Sequence, residues 1–395
     1  MHQQEQRRFL IAVQKVGGAG ILELLLCRLG PLSEIAKQLT NFTTSYIDMN
    51  KLNRILFSLI FLSLLSALPI SAQVIKKGKV ERIKVHGTSL EGNLVGDSPD
   101  RDVSIYLPAS YASNPKKRYP VVYYLHGFTD NDAQWYGLTK HWINLPAILD
   151  SAYSKGSLNE CIFVTPNGFT RFSGSWYSNS VTTGDWEDFV AKELVTYIDK
   201  HYRTIAKPSA RGIAGHSMGG YGALRIGEKF ADTFSAVYLL SPAIFSPGTT
   251  PTASKEELDK IKTFEDLQKA SFGLRALFSL AAAWSPNPDK PPFYLDLPGQ
   301  DEANAAIPVS AKWIANLPLA SLEQYIFNIK KLKGIGFDAG DQDVGIANAI
   351  KLLDKELEKH KIQHQFEIYK GNHVNRIGNR INEKVLPFFS EKLQH

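Results

Sequence analysis

The sequence predicts an α/β fold, a mostly parallel, doubly wound sheet with a cap-like insertion at about residues 242–330. Three observations predict it. Continuous apolar runs, Tyr119 to Leu125 and Cys161 to Thr165, have the composition of strands buried on both faces of a parallel sheet. Segments with helical spacing alternate with such strands along the chain, which is the pattern of a doubly wound sheet. Between one strand and one helix lies Gly215-His216-Ser217-Met218-Gly219, a Gly-x-Ser-x-Gly turn that exposes its serine at the apex.

Taken in order, residues 1–48 read as an upstream extension from a misplaced start codon. From Met49 the chain has Lys51 and Arg54, an apolar core from Ile55 to Leu68, and small residues ending at Ala72. That is the layout of a secretory signal peptide, 49–72. A transmembrane helix needs roughly 20 apolar residues, so a permanent span is the poorer reading. The expectation is therefore an exported catalytic domain, 73–395, with no stable membrane span once the signal is removed. Only Cys27 and Cys161 are present, and Cys27 falls outside that domain, which excludes a disulfide framework and a cysteine-type zinc site. The net charge of +6 is spread along the chain without a basic stripe, so nucleic acid is not an expected partner.

Residues 80–86 and 102–107 alternate like half-buried antiparallel strands. Asp185 to Tyr202 has apolar residues at helical spacing, with Asp185, Glu187 and Asp188 at the start, where the helix dipole favours them. Residues 210–214, 236–240 and 334–337 supply further strands. A helix over 344–360, a strand over 365–369 and a helix over 378–393 close the chain. The stretch 242–330 breaks the alternation. It is rich in proline around Trp284 to Tyr294, and an insertion of this size is expected to cap the site.

A serine hydroxyl is a weak nucleophile until a base takes its proton, and that base needs a carboxylate to orient it and balance its charge. On this kind of sheet the order is serine, then acid, then histidine. After Ser217 the candidate acids are Asp338, Asp341 and Asp343. Asp343 is preferred because Gly340-Asp-Gln-Asp343 carries it clear of the strand end, with Asp341 as the rival or as a cap for the following helix. His373, in Gly371-Asn-His373 after the last strand, is the candidate base. His360 and His364 read as a solvated helix face, and His141 and His201 as surface or core histidines. The negative oxygen of a tetrahedral intermediate needs two N–H donors, expected from Met218 and Phe128. His126 is expected to prop the Phe128 loop.

Tyr124-Leu-His-Gly-Phe128, Gly174-Ser-Trp-Tyr-Ser-Asn-Ser180, Trp186-Glu-Asp-Phe189, Gly215-His-Ser-Met-Gly-Gly-Tyr-Gly222 and Gly371-Asn-His373 together resemble the signature blocks of the esterase D family of α/β-hydrolases. The resemblance covers roughly residues 80–390. It implies serine ester chemistry with Ser217, Asp343 and His373 as the triad and Phe128 and Met218 as the oxyanion hole. It also implies that Trp176 and Tyr177 lie beside the acyl site. The spacer before Asp343 departs from the Gly-Thr-x-Asp usual in that family. The expected function is a secreted serine carboxylic-ester hydrolase that needs no metal or organic cofactor, acting on acyl or feruloyl esters of carbohydrates. Alternatives are an acyltransferase using the same acyl-enzyme and a non-catalytic binding module on the same scaffold. The signal peptide predicts a mature chain that begins near Gln73, which N-terminal sequencing of the exported protein checks. A product that retains residues 1–48 would contradict both the start-site and the export readings.

Overall fold

Successive side chains of an extended segment point to opposite sides, and the middle segments of this chain are apolar on both. Val121, Tyr123 and Leu125 enter one core while Val122 and Tyr124 enter another, all fully buried. Such a segment is stable only in mid-sheet with helices on either side. The computed structural model describes residues 75–246, 250–299 and 307–395. The expected upstream extension (1–48) and signal peptide (49–72) lie outside the described residues. Gln73–His395 form one compact unit.

The strands are β1 (Lys79–His86), β2 (Asp100–Leu107), β3 (Val121–Leu125), β4 (Ile162–Pro166), β5 (Asn179–Ser180), β6 (Gly184–Asp185), β7 (Arg211–His216), β8 (Ala236–Leu240), β9 (Gly334–Gly340) and β10 (Gln365–Tyr369). The main sheet has the order β1-β2-β4-β3-β7-β8-β9-β10. β2 runs antiparallel to both β1 and β4, and every other pairing is parallel. The doubly wound sheet and its antiparallel leading strands are as the sequence predicts. The hairpin of β5 and β6 was not anticipated, because two-residue strands have no periodicity to read.

The helices that matter below are α1 (Leu145–Tyr153), α2 (Val195–His201), α3 (Met218–Lys229), α4 (Phe272–Trp284), α5 (Val344–Lys359) and α6 (Leu386–Lys392). α1 and α6 cover one face of the sheet with Leu145, Leu149, Phe388 and Phe389, while α2, α3 and α5 cover the other with Ile198, Ile226 and Leu353. α1 has no counterpart in the sequence reading, although its signals are present. Asn144 accepts from the Ala147 N–H at 3.1 Å, and Pro146 occupies the first turn. The expected helix over 185–202 is composite, with a π-wound stretch Phe189–Leu194 leading into α2.

The insertion forms the β8–β9 connection, and its described residues are mostly helical. From Ala276 onward every residue of α4 is buried, which marks it as an interior helix and not a solvent-side embellishment. It shares one core with α3. Tyr221 donates its hydroxyl proton to the Asn316 carbonyl at 3.0 Å, and the Ser321 hydroxyl donates to Glu228 Oε1 at 2.8 Å. Glu228 is 1% exposed, and its other oxygen, Oε2, has no partner among the described residues. Burial raises its pKa to about 8, against the opposing pull of Ser321, Arg225 and Lys229. An acid whose folded pKa is raised holds its proton in the native state while the unfolded chain has lost it. Its stabilising contribution is therefore complete below pH ~4.5 and lost as pH rises through about 8. Thermal stability is expected to decline between pH 5.5 and 8.5, and Glu228→Gln should flatten that decline when melting curves are compared. An unchanged slope in the variant would show that Glu228 is ionised in the native state.

Candidate active site

β7 ends at His216 and α3 begins at Met218, so the chain reverses within Ser217 alone, at φ 57° and ψ −118°. A non-glycine residue in that region costs of order 1–3 kcal/mol and persists only where its surroundings enforce it. Three backbone bonds do so here. The Ser217 N–H donates to Leu240 O at 3.0 Å, and the Ser217 carbonyl accepts from Tyr221 and Ala243 at 3.0 and 2.9 Å. A β-carbon at residue 219 would lie 1.9 Å from Leu125 O, so only glycine lets α3 start directly over the end of β3. Ser217 itself is half-buried.

His373, in the loop after β10, accepts the Ser217 hydroxyl proton at Nε2, 2.9 Å from Oγ, and donates from Nδ1 to Asp343 Oδ2 at 2.5 Å. The acid and base loops come together because residue 340 lacks a side chain, since a β-carbon there would sit 2.2 Å from Gly371 O. Close approach, not a left-handed turn, is thus what that glycine provides. Asp343 occupies the N-cap position of α5 yet makes no side-chain cap bond, because its carboxylate is turned to His373. Asp341 faces away. It accepts from Lys370 Nζ at 2.6 Å and from the Gly371 N–H at 3.1 Å, and so ties the two loops together instead of capping the helix. Asp338 is buried within the sheet, accepting from the Tyr238 hydroxyl at 2.8 Å and from Arg380 Nε at 2.9 Å.

The Phe128 loop runs beside the serine, with the position of a β-carbon on Gly127 only 3.5 Å from Ser217 Cβ. Met218 opens α3, so its N–H has no acceptor within the helix. Among the described residues neither that N–H nor the Phe128 N–H is taken up by an acceptor. His126 is fully buried and uses both ring nitrogens to hold this loop. Nδ1–H donates to Gly127 O at 2.9 Å, and Nε2 accepts from the Gly168 N–H at 2.8 Å.

One contributor escaped the sequence reading. His216 donates from Nε2 to the carbonyl of His373 at 2.9 Å, and the two rings lie 4.8 Å apart. Burial, reinforced by His373, pushes its pKa down to about 3. The ring therefore stays neutral and anchors the backbone of the candidate base without adding a positive charge beside it. The available signal was strand parity. His216 lies two residues beyond Ala214 and shares its face of the sheet, the face toward α1 and α6.

Residues 98–376 match a family model described as "Putative esterase". The chain belongs to this esterase family. An esterase of Mycobacterium tuberculosis is 32% identical over 139 residues, which cover 34% of this chain and 27% of that protein. An endo-1,4-beta-xylanase/feruloyl esterase of Xylanibacter ruminicola is 30% identical over 147 residues, covering 36% and 20%. The chain thus spans about a quarter or less of the length of these curated relatives. Among solved structures, a ferulic acid esterase superposes with a TM-score of 0.54 at 21% identity, covering 80% of this chain and 98% of that one. An S-formylglutathione hydrolase from Agrobacterium tumefaciens gives 0.52 at 16% identity, covering 81% and 97%. At these identities the likeness is one of fold, and the fold is the α/β-hydrolase one.

In this esterase Trp176 and Tyr177 do not line an open acyl site. Their exposures are 3% and 0%. Trp176 donates its indole N–H to Ser279 Oγ of α4 at 3.0 Å and stacks behind Phe128, while the Tyr177 hydroxyl donates to His126 O at 3.2 Å. Both brace the Phe128 loop from within, and both have left-handed backbone, φ 52° at Trp176 and 45° at Tyr177. His360 and His364 do not share a helix face. His360 is the C-cap residue of α5, and His364 lies beyond it, bonded to Asp354 at 2.8 Å and stacked on Phe337. His201 stacks on Tyr197. Among the described residues Glu323, Glu356 and His360 have ligand atoms within 4.8 Å of one another. Lys359 already pairs with both carboxylates, and none of these residues touches the serine site. Asp343→Asn keeps the shape of the carboxylate and removes its charge, so turnover is expected to fall by about 10⁴-fold. Asp341→Asn should cost far less. Side-by-side kinetics on the two folded variants check this, and the opposite ranking would move the acid to Asp341.

Proposed function

We propose that this esterase family member is an exported serine carboxylic-ester hydrolase acting on acyl or feruloyl esters of carbohydrates through an acyl-enzyme on Ser217. The observation that carries the reading is the pair of hydrogen bonds made by His373, to Ser217 Oγ at 2.9 Å and to Asp343 at 2.5 Å. In the proposed mechanism Oγ attacks the ester carbonyl as its proton passes to His373 Nε2. The Phe128 and Met218 N–H groups take up the negative charge on the former carbonyl oxygen. The imidazolium, balanced by Asp343, then gives its proton to the departing alcohol. Water, deprotonated by the same nitrogen, releases the acid and restores Ser217.

Hydrolysis is favoured over acyl transfer to another alcohol because the His373 side chain is 36% exposed and Ser217 is half-buried. An acyl-enzyme there is open to water. The carbohydrate-ester reading is supported by the feruloyl esterase named among the relatives. Export is supported by the signal-peptide pattern at 49–72. Among the described residues no helix is long and apolar enough to cross a membrane. A fluorophosphonate probe is expected to add once, on Ser217, and Ser217→Ala should abolish both labelling and hydrolysis. A screen against acetylated xylan, methyl ferulate and short nitrophenyl esters then ranks substrates. Hydrolysis that survives Ser217→Ala would overturn the mechanism.

A further inference from the structure

We infer that Ser279, a buried residue of the insertion helix α4, is a positioning residue for the two N–H groups proposed to take up the negative charge of the tetrahedral intermediate. The inference rests on the ester mechanism proposed above. In the run Ala276 to Ala283, Ser279 is the only polar side chain. A serine inside a helix ordinarily returns its hydroxyl to a carbonyl one turn earlier. Ser279 instead spends it outside the helix. It donates to Gly174 O at 3.0 Å and accepts the Trp176 indole N–H, also at 3.0 Å. An indole N–H can only donate, so the Ser279 proton is directed to Gly174. The hydroxyl is buried and therefore acts on the site only through these two residues.

The loop that receives these bonds is strained and touches both donor residues. Ser173, Trp176 and Tyr177 have left-handed backbone, at φ 66°, 52° and 45°, which non-glycine residues keep only where their surroundings enforce it. Ser173 O accepts from the N–H of Thr129, the residue after Phe128, at 3.0 Å. The Trp176 ring stacks on the Phe128 ring at 6.3 Å. A β-carbon at Gly174 would stand 2.6 Å from Met218 Sδ and 2.8 Å from Phe128 Cδ2. Close-packed contacts of this kind have no slack, so a shift of the loop is passed to Phe128 and Met218 together. Thr170 also donates to Gly174 O, at 2.8 Å, but it belongs to the same loop and shapes it without fixing its place. Ser279 comes from another element and does fix it. Ser180, in β5, donates to Ala282 O of α4 at 2.6 Å. It joins the same two segments beyond the residues that pack on Phe128 and Met218, and so serves as the control.

The test compares the unmodified enzyme with Ser279→Ala and Ser180→Ala on 4-nitrophenyl acetate. Acylation and deacylation pass through the same oxyanion, so Ser279→Ala is expected to lower kcat about 10–100-fold and leave KM within about twofold. That loss is smaller than the roughly 10²–10³-fold that follows removal of a whole donor. A trifluoromethyl ketone adds to the serine and places its oxygen where the oxyanion forms, so its Ki should rise by the factor by which kcat/KM falls. Ser180→Ala should keep both values within about twofold, whatever it does to the melting temperature. Ser279→Cys fills the site with a much weaker donor. It should show the same kcat loss and Ki rise at smaller size, and it decides the matter if the alanine variant does not fold. A folded Ser279 variant with unchanged kcat, or one whose KM rises while kcat holds, would overturn the inference. So would an unchanged ketone Ki, or an equal loss in Ser180→Ala, which would make Ser279 one stitch of a seam. If the unmodified enzyme forms no acetyl-enzyme on Ser217, the underlying ester mechanism fails instead.

Discussion

The proposed chemistry of this molecule depends on one reversal of the backbone at Ser217. A strand that ends and a helix that begins within a single residue lift that residue's side chain off the sheet and free the next N–H. The reversal is unfavourable for serine by itself, by roughly 1–3 kcal/mol. It is held by bonds from Leu240, Tyr221 and Ala243, which means that β8 and the first residues of the insertion enforce it as much as α3 does. A methyl group added at residue 219 would stand 1.9 Å from Leu125 O, so α3 could no longer start where it does, directly against the end of β3.

Much of this was legible in the sequence for identifiable reasons. The parallel strands are short, continuous apolar runs, because both of their faces are covered, and β8 and β10 were read to the residue. The Gly-x-Ser-x-Gly turn is recognisable because each glycine answers a specific steric demand. Ser217, Asp343 and His373 could be named as candidates because they follow the ends of β7, β9 and β10, in the order serine, acid, histidine. The loop between Gly340 and Asp343 was read less well. Both aspartates belong to it, and what separates them is a rotation of two residues along the loop that no pattern records. The roles of Trp176 and Tyr177 were misjudged for a related reason. An aromatic beside a site looks the same in sequence whether it faces the ligand or supports the wall behind it, and here both are buried.

His216 shows a different limit. Its contribution is made through a main-chain carbonyl 157 residues away, so its partner leaves no side-chain signature. Its chemistry nevertheless suits the place. A lysine would set a permanent charge beside the base and lower its affinity for the proton it must accept. A purely apolar ring would leave the His373 carbonyl without this donor. A histidine kept neutral by burial, with its pKa near 3, is a donor that carries no charge at the pH where the base works.

The insertion is better understood as part of the frame than as a lid. The Ser279 hydroxyl on α4 donates to Gly174 O at 3.0 Å and accepts from the Trp176 indole, also at 3.0 Å. Gly174 in turn lies so close to the side chains of Met218 and Phe128 that a β-carbon there would stand 2.6 Å from the sulfur of one and 2.8 Å from the ring of the other. Both residues proposed to stabilise the oxyanion therefore lean on a single loop that one hydroxyl of the insertion secures. Phe272, at the start of the same helix, meets the Phe128 ring edge-on at 5.4 Å while remaining 60% exposed. A segment that both secures the donors and presents an aromatic face beside them cannot swing away without dismantling the site.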